Sequence, residues 1–379
     1  MPPPPPPPEE LEEEVLLRFP PLEPALLVRA SLVCKRWRRL VRSPGFWRRF
    51  RELHRTPSML GFLGNIMFGL EGVVADLMGA QPARQSACFV PTADGFRLPD
   101  ADIRLCRGLD ARHGRVLLQR RGVPGSFLMV WDLITGDKHQ VPSPLVQHDM
   151  VRWTAAVLCA AGGRCDHLRC HRGPFLVVCA GYVSGEAVIC TYSSDAGTWS
   201  DPIATEQPLQ CLNLMPSVLV GNALYFGCLA SKTFLKYDLE SHEMSVNRLP
   251  FTYCLWRLVV LDSGLGLATV HESKLCLWKK TGPEVDAGWT EDRVIELETL
   301  LPSDAFLTSP DVVGFADGID VIFLRAGSVL YTIDTKTDKV KKVYEGERFN
   351  SVIPYMSFFA PALGSISTGE GPGVGASST

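Results

Sequence analysis

The stretch SFLMVWDLITGDKHQVP, from Ser126 to Pro142, consists of an apolar run, an aspartate, a polar turn and a second apolar segment. Apolar runs bounded by turn-forming residues predict two β-strands joined by a tight connection. The same order recurs in KTFLKYDLESHEMSVNRLP (Lys232 to Pro250) and in GSVLYTIDTKTDKVKKV (Gly327 to Val343). This recurrence indicates that one strand-turn-strand unit is used several times along the chain.

Two looser copies of the unit are GEAVICTYSSDAGTWSDP (Gly185 to Pro202) and ESKLCLWKKTGPEVDAGW (Glu272 to Trp289). Equivalent positions in the five copies are 61, 45, 41 and 55 residues apart. These steps suit a propeller blade of roughly 40 to 50 residues with loops of variable length. The sequence therefore predicts an all-β propeller over residues 61–361, and six blades is the expected count. The equivalent positions are Trp131, Tyr192, Tyr237, Trp278 and Ile333.

One aspartate occupies the same place in each clear repeat: Asp132, Asp238 and Asp334. Aspartate side chains hydrogen-bond to nearby backbone groups in turns, so we interpret these residues as turn formers and not as catalytic carboxylates. The chain also lacks a phosphate-binding glycine loop, an HExxH helix and a GxSxG elbow. We therefore expect a protein without catalytic activity of its own, and no cofactor is implied.

The segment that precedes the repeats, residues 9–50, has helical periodicity. EELEEEVLLRF (Glu9 to Phe19) predicts a first helix, which Pro20 and Pro21 end. A second short helix is expected from Ala25 to Arg29, and a third over SLVCKRWRRLV with Ser31 as its N-cap. Three short helices have too little interior to bury all the apolar residues of this segment, so its composition predicts a partner protein.

Basic residues are concentrated between Arg29 and Arg55, which hold ten of the 38 basic residues but only one of the 41 acidic residues. A nucleic-acid site and a protein-docking helix would both use such a segment. Trp37 falls on one apolar stripe with Val33 and Leu40, so we favour packing and docking. Nucleic-acid binding by residues 29–55 remains an alternative.

The stretch PEELEEEVLLRFPPLEPALLVRASLVCKRWRRLVRSPGFWRRFRELHRTP, from Pro8 to Pro57, resembles an F-box. The whole chain resembles a plant, grass-type F-box protein with a C-terminal F-box-associated β-propeller. The segment AAVLCAAGGRCDHLRCHRGPFLVV (Ala155 to Val178) is similar to a stretch of grass members. The implied fold is α + β and multidomain, a three-helix F-box followed by the propeller. The expected division is a disordered proline-rich tail at 1–8, the F-box at 9–50, a connecting segment at 51–60, the propeller at 61–361 and a disordered Gly/Ser-rich tail at 362–379.

The resemblance implies the substrate-recognition subunit of a ubiquitin ligase of the Skp–cullin–F-box type. Its F-box would bind a Skp-type adaptor and through it a cullin, and its propeller would hold an unidentified target protein. Two positions depart from the family: Pro7 stands where leucine is usual, and Glu12 where leucine is frequent. A propeller that binds a small ligand, without a ligase role, is a second alternative. The adaptor-facing residues implied are Pro8, Leu11, Val15, Leu16, Val33, Cys34, Trp37 and Leu40.

The cysteines fall mostly in apolar runs, and neither a secretory signal nor an 18-residue apolar segment is visible. We expect a reducing compartment, the cytoplasm or the nucleus, and no membrane partner. One cluster has residue types that suit Zn²⁺, but its spacing does not form the usual two ligand pairs. An ordinary inter-strand loop is therefore the favoured interpretation, with zinc and a redox-active thiol as alternatives. The cluster consists of Cys159, Cys165, His167, Cys170 and His171.

Overall fold

The computed structural model of the chain describes residues 9–21, 23–66, 86–92, 103–120, 127–144, 151–161, 165, 167, 170–183, 186–205, 214–228, 232–249, 255–262, 264–282 and 288–358. All structural features given below belong to these residues. The expected tails at 1–8 and 362–379 lie outside them.

The described part of the amino-terminal unit, residues 9–21 and 23–57, has four helices, one more than predicted. The additional helix starts at Pro44, because proline suits the first turn of a helix and the Ser43 hydroxyl accepts a hydrogen bond from the Gly45 N–H at 3.2 Å. This helix contributes Phe46 and Phe50 to the core of the unit. The helices are α1 (Glu9–Leu17), α2 (Pro24–Val33), α3 (Lys35–Arg42) and α4 (Pro44–His54).

The predicted N-cap at Ser31 is wrong. Ser31 is buried inside α2, where its hydroxyl donates to the carbonyl of Val28 at 2.6 Å. Cys34 caps α3 instead, and its sulfur accepts a hydrogen bond from the Trp37 N–H at 3.4 Å. The connection between α4 and the first strand is Arg55 to Pro57, which is narrower than the expected segment 51–60.

The remaining described chain forms six antiparallel sheets, and these confirm the predicted six-bladed propeller. Blade 1 contains β1 (Ser58–Ile66), β2 (Ser86–Pro91) and β24 (Phe349–Ser357), and blade 2 contains β3 (Cys106–Arg112), β4 (Arg115–Arg120), β5 (Phe127–Asp132) and β6 (Lys138–Pro142). Blade 3 contains β7 (Val151–Cys159), β8 (Phe175–Val183), β9 (Glu186–Ser193), β10 (Thr198–Trp199) and β11 (Ile203–Ala204), and blade 4 contains β12 (Val218–Val220), β13 (Ala223–Gly227), β14 (Thr233–Asp238) and β15 (Met244–Arg248). Blade 5 contains β16 (Trp256–Leu261), β17 (Gly264–His271), β18 (Lys274–Lys280) and β19 (Trp289–Glu296), and blade 6 contains β20 (Asp311–Ala316), β21 (Val321–Ala326), β22 (Val329–Asp334) and β23 (Val340–Glu345).

Each neighbouring pair of blades shares a hydrophobic cluster, so the core is a closed ring of interfaces. The last of these joins blade 6 to blade 1, where the rings of Phe323 and Phe62 meet edge to face with centroids 5.2 Å apart. Blade 1 also unites the two ends of the propeller, because β24 pairs with β1 and Pro354 lies opposite Phe62. The final strand therefore closes the ring.

The five repeats seen in the sequence are the third and fourth strands of blades 2 to 6. The aspartates in the three clear repeats are turn formers, as predicted. In blade 4 the Oδ1 atom of Asp238 accepts hydrogen bonds from the N–H groups of Glu240 at 3.0 Å and Ser241 at 3.1 Å. The same arrangement joins Asp132 to the N–H groups of Ile134 and Thr135, and Asp334 to those of Lys336 and Thr337.

Removing this carboxylate is expected to destabilise its hairpin. An Asp238→Ala chain should lose about 1 kcal/mol of unfolding free energy, the usual net contribution of such hydrogen bonds, whereas Asp238→Asn keeps an acceptor oxygen and should lose less. Urea unfolding followed by tryptophan fluorescence measures both. An alanine variant as stable as wild type would contradict the assigned role.

The same turn predicts a pH dependence. The N–H groups of Ser241 and Glu240 lower the pKa of Asp238, because they stabilise the carboxylate. A carboxyl group whose pKa is lower in the folded than in the unfolded chain stabilises the fold above its unfolded value, about 3.9. The stability difference between wild type and Asp238→Ala should therefore be full above about pH 4 and disappear as the pH falls through the lowered pKa.

Most of the described cysteines in strands are buried as small apolar side chains, as predicted, and none of the described cysteines forms a disulfide. No helix in the described part of the chain is both long and apolar enough to cross a bilayer. The buried cysteines are Cys106, Cys159, Cys179, Cys190, Cys228 and Cys276.

Candidate functional site

The helical unit has a small hydrophobic core of its own, and several apolar side chains of the unit that do not enter this core are exposed to solvent. Phe358, which follows the last strand of the propeller, packs against the same cluster and so joins the two parts of the chain. The N-terminal helix is also attached to α4, since the Leu17 carbonyl lies 2.7 Å from Nε2 of His54. The buried core residues are Leu16, Leu17, Leu27, Ala30, Leu40, Val41, Phe46 and Phe50.

Four apolar side chains remain exposed on α1 and at the end of α2, and we call them the apolar patch. Leu11 and Val15 are 58% and 52% exposed and lie one helical turn apart on α1. Leu32 and Val33 are 65% and 69% exposed and end α2. Leaving four aliphatic side chains in water on so small a unit is unfavourable, so the patch has the character of a docking surface.

The predicted adaptor-facing residues divide into surface and core. Leu11, Val15, Val33 and Cys34 are exposed, and Trp37 is partly buried against the helical core. Pro8 lies outside the described residues.

Two of the predicted adaptor-facing residues lie in the interior of the helical unit. Leu16 and Leu40 are buried in the helical core, so they support the surface and do not form it. Leu32, which the sequence analysis missed, belongs to the exposed set. It was missed because the misplaced N-cap at Ser31 put Leu32 in the wrong helix. With α2 extended to Val33, Leu27 and Ala30 mark the buried side, and Leu32 falls away from it.

Glu12, one of the two positions that depart from the pattern of the resembled family, bridges α1 and α3. Its Oε2 atom accepts a hydrogen bond from Nε1 of Trp37 at 3.1 Å and lies 3.2 Å from Nε of Arg36. Only 11% of its side chain is exposed, so both contacts are partly shielded from water. A polar contact therefore stands where leucine is frequent in the family, and it holds Trp37 of α3 against α1.

A Glu12→Ala substitution is expected to weaken the attachment of α3 to α1. It leaves the partly buried indole N–H of Trp37 without its acceptor, and hydrogen bonds to charged groups contribute about 1.5 to 3 kcal/mol. Hydrogen exchange in the full-length chain should show protection in residues 35–42 reduced about tenfold or more, while the propeller strands stay unchanged. Glu12→Gln keeps the acceptor and serves as the matched control. Equal protection in wild type and the alanine variant would contradict the bridging role.

A cavity of about 610 Å³ lies between the helical unit and the propeller. Arg51 of α4 lines it from the helical side, while Gly114 and His171 line it from the propeller. A volume of this size accommodates a small ligand or a few side chains of a bound protein.

An ion pair between buried Asp110 and partly buried Arg112 lies in the wall of this cavity. Nη1 of Arg112 lies 3.0 Å from Oδ2 of Asp110, and the Val157 N–H donates to the same oxygen at 2.9 Å. Burial raises the pKa of Asp110, and the nearby Arg112 guanidinium opposes that rise. Arg112 also donates to Oγ of Ser217 at 2.9 Å, so the pair connects blades 2, 3 and 4. We interpret it as a rigid part of the cavity wall.

Four of the five residues in the predicted Cys/His cluster come together beside this cavity. The ligand atoms of Cys159, Cys165, His167 and Cys170 all lie within 4.8 Å of one another, a grouping that can hold a metal ion. His171 is not part of the group, although it also lines the cavity. Burial raises the pKa of the Cys170 thiol, and the neighbouring Cys159 and Cys165 raise it further.

Comparison with known proteins gives two matching family models. The model described as "F-box protein AT5G49610-like, beta-propeller" matches residues 108–363, and the F-box domain model matches residues 8–49. A comparison with curated proteins gives no match.

Several solved structures are similar at low identity. The chain is 13% identical to TolB from Acinetobacter baumannii, with a TM-score of 0.45 over 80% of this chain and 69% of that one. It is 10% identical to the Cps50 (Swd1) β-propeller domain of Myceliophteria thermophila, with a TM-score of 0.39 over 70% and 82% of the two chains. It is 7% identical to the Dos1 propeller, with a TM-score of 0.40 over 70% and 68%.

Proposed function

Because the chain belongs to the family of F-box proteins with an AT5G49610-like β-propeller, we propose that it is the substrate-recognition subunit of a ubiquitin ligase of the Skp–cullin–F-box type. The observation that carries the proposal is the apolar patch on a helical unit that has a hydrophobic core of its own. A Skp-type adaptor would cover Leu11, Val15, Leu32 and Val33, with Trp37 and Cys34 at the edge of the contact.

In this proposal the chain performs no chemistry. The adaptor and a cullin carry the ubiquitin-charged enzyme, and the propeller holds the target protein near it. Tethering raises the effective concentration of the target's lysines, to the millimolar range for short flexible linkers, without any new catalytic group. Packing of Phe358 against the helical core supports this geometry, because it fixes the end of the propeller to the adaptor-binding unit. The compartment we propose is the cytoplasm or the nucleus.

The structure offers less support for nucleic-acid binding by residues 29–55. Arg49 lies 2.9 Å from Glu13 and 3.7 Å from Glu14, and Arg36 lies 3.2 Å from Glu12. These glutamates of α1 neutralise part of the basic segment, and phosphate binding would have to compete with them.

The proposal is tested by stepwise assembly. The full-length chain, immobilised through a C-terminal tag, is exposed to purified cullin with and without a Skp-type adaptor. We expect cullin to be retained only when the adaptor is present. Retention of cullin without adaptor, or no retention with it, would contradict the proposed role. Salt-sensitive retention of DNA by the same resin would instead favour the nucleic-acid alternative.

A further inference from the structure

The loop between β7 and β8 gathers three thiols and one imidazole in a small volume. Cys159 is the last residue of β7, and Cys170 opens a single 3₁₀ turn, Cys170–Arg172, that leads back towards β8. Cys165 and His167 lie between them. Nδ1 of His167 is 3.6 Å from Sγ of Cys170, and the His167 N–H donates to Sγ of Cys165 at 3.4 Å.

The distance of 3.6 Å between Nδ1 of His167 and Sγ of Cys170 matches the ligand shell of a tetrahedral zinc ion. Zinc–sulfur bonds of about 2.3 Å and zinc–nitrogen bonds of about 2.0 Å place neighbouring ligand atoms roughly 3.5 to 3.8 Å apart. The four ligand atoms already lie within 4.8 Å of one another, so small side-chain rotations would complete the tetrahedron. Cys₃His is one of the common ligand sets of structural zinc sites.

The second pair of ligands could not be recognised from the sequence spacing. It consists of Cys159, the last residue of β7, and Cys170 at the start of the 3₁₀ turn. Structural zinc ligands usually come in two short pairs from separate segments. Here Cys165 and His167 form one pair, while Cys159 and Cys170 stand at the two ends of the loop, where β7 and the 3₁₀ turn bring them together. The antiparallel pairing of Cys159 with Phe175 fixes the base of the loop.

The charge around the cluster also fits a zinc ion with three thiolates, whose net charge is −1. The buried guanidinium of Arg115 lies against the loop and donates to the carbonyl of Cys170 at 2.7 Å and to that of Gly173. Its Nη1 atom is buried without a hydrogen-bond partner among the described residues. Buried cations require compensating anions. Asp132, which lies opposite Arg115 in the pairing of β4 with β5, supplies one negative charge, and a thiolate-rich metal centre next to the guanidinium would supply a second.

We propose that Cys159, Cys165, His167 and Cys170 bind one Zn²⁺ ion, which holds the β7–β8 loop in place at the wall of the cavity. The His167 ring lies 3.9 Å from the ring of His113 in the β3–β4 turn, and both residues line the cavity. The ion therefore ties blade 3 to blade 2 beside the helical unit. Its role is structural, since all four coordination positions are filled by protein ligands. The proposal stands independently of the ligase role.

Metal analysis of the full-length chain, purified under reducing conditions without chelator, tests this site. We expect about one zinc per folded chain, and Co²⁺ in place of zinc should give the visible absorption of a tetrahedral site with a thiolate charge-transfer band. Cys165→Ser and His167→Asn should each lower the affinity for Co²⁺ at least about tenfold. Asparagine suits position 167 because the residue has a positive φ of 57°, which asparagine tolerates better than most residues.

The matched control is Cys88→Ser, which removes a partly buried thiol of blade 1 outside the cluster and should leave metal binding unchanged. Circular dichroism of the metal-free variants separates loss of the site from loss of the fold. The proposal is overturned if the folded wild type holds no zinc and gives no tetrahedral Co²⁺ spectrum. It is also overturned if Cys165→Ser binds the ion as tightly as wild type, or if thiol titration of the native chain shows these cysteines paired in a disulfide.

Discussion

A chain that carries Leu11→Glu together with Val33→Glu is expected to bind a Skp-type adaptor at least about thirtyfold more weakly than wild type, the effect of losing 2 kcal/mol at the centre of an interface. Both side chains are more than half exposed in the free protein, so the substitutions cost the fold little. In a complex they would place two carboxylates against an apolar partner surface, and burying an unpaired charge is strongly unfavourable.

The matched control for this variant is Leu53→Glu. Leu53 is 56% exposed near the end of α4, a helix that contributes no residue to the apolar patch, so its substitution introduces a glutamate at a different exposed apolar position of the helical unit. We expect adaptor affinity of this control to equal that of wild type, with circular dichroism unchanged in both variants. If the control lost as much affinity as the patch variant, or if the patch variant bound normally, the apolar patch would not be the docking surface.

A chain that ends at Arg348 is expected to lose the cooperative folding of the propeller. This truncation removes β24, the strand that pairs with β1 and closes the ring. It also removes four buried side chains, each of which contributes about 1.5 to 3 kcal/mol, a sum comparable to the whole stability of a domain. Those side chains are Phe349, Val352, Ile353 and Tyr355.

The local packing in blade 1 shows how closely β24 fits against β1. Phe349 fills the space above Gly64 so closely that a Cβ atom at this glycine would lie 2.4 Å from the ring. Without β24 the edge of β1 is unpaired and the apolar side of the blade is open, which favours aggregation.

The control for the truncation is a chain that ends at Phe358, which keeps β24 and the contact of Phe358 with the helical core. Thermal unfolding should show one cooperative transition for this control and none for the shorter chain. A cooperative transition of the shorter chain within a few degrees of the control would show that ring closure contributes little to stability.

The blades could be predicted from the sequence because their signals are local. An apolar strand and an aspartate that binds N–H groups two and three residues further on are contained within a dozen positions, as Asp238 with Glu240 and Ser241 shows. The helix boundaries were less predictable, since both serine and cysteine side chains can accept the hydrogen bond that caps the N-terminus of a helix. Ser31 looked like the stronger cap, yet its hydroxyl is used inside α2 and Cys34 caps α3.

The division of the F-box residues into core and surface could not be derived from a single chain. Leu16 and Val15 are neighbours of similar apolarity, and only the arrangement of α1 against α3 and α4 buries the first and exposes the second. The Cys/His cluster could not be derived from the sequence for the same reason. The approach of Cys159 to Cys170 depends on the pairing of strands β7 and β8 and not on the spacing of the two cysteines in the sequence.

The affinity of the wild-type full-length chain for a purified Skp-type adaptor, measured by titration calorimetry, decides whether the helical unit docks an adaptor. We expect one adaptor per chain and a dissociation constant at or below about 1 μM, which corresponds to roughly −8 kcal/mol. Absence of binding by the folded chain at about 10 μM adaptor would contradict it. In that case the departures at Pro7 and Glu12 would have removed the docking function, and the ligase role would have to be withdrawn.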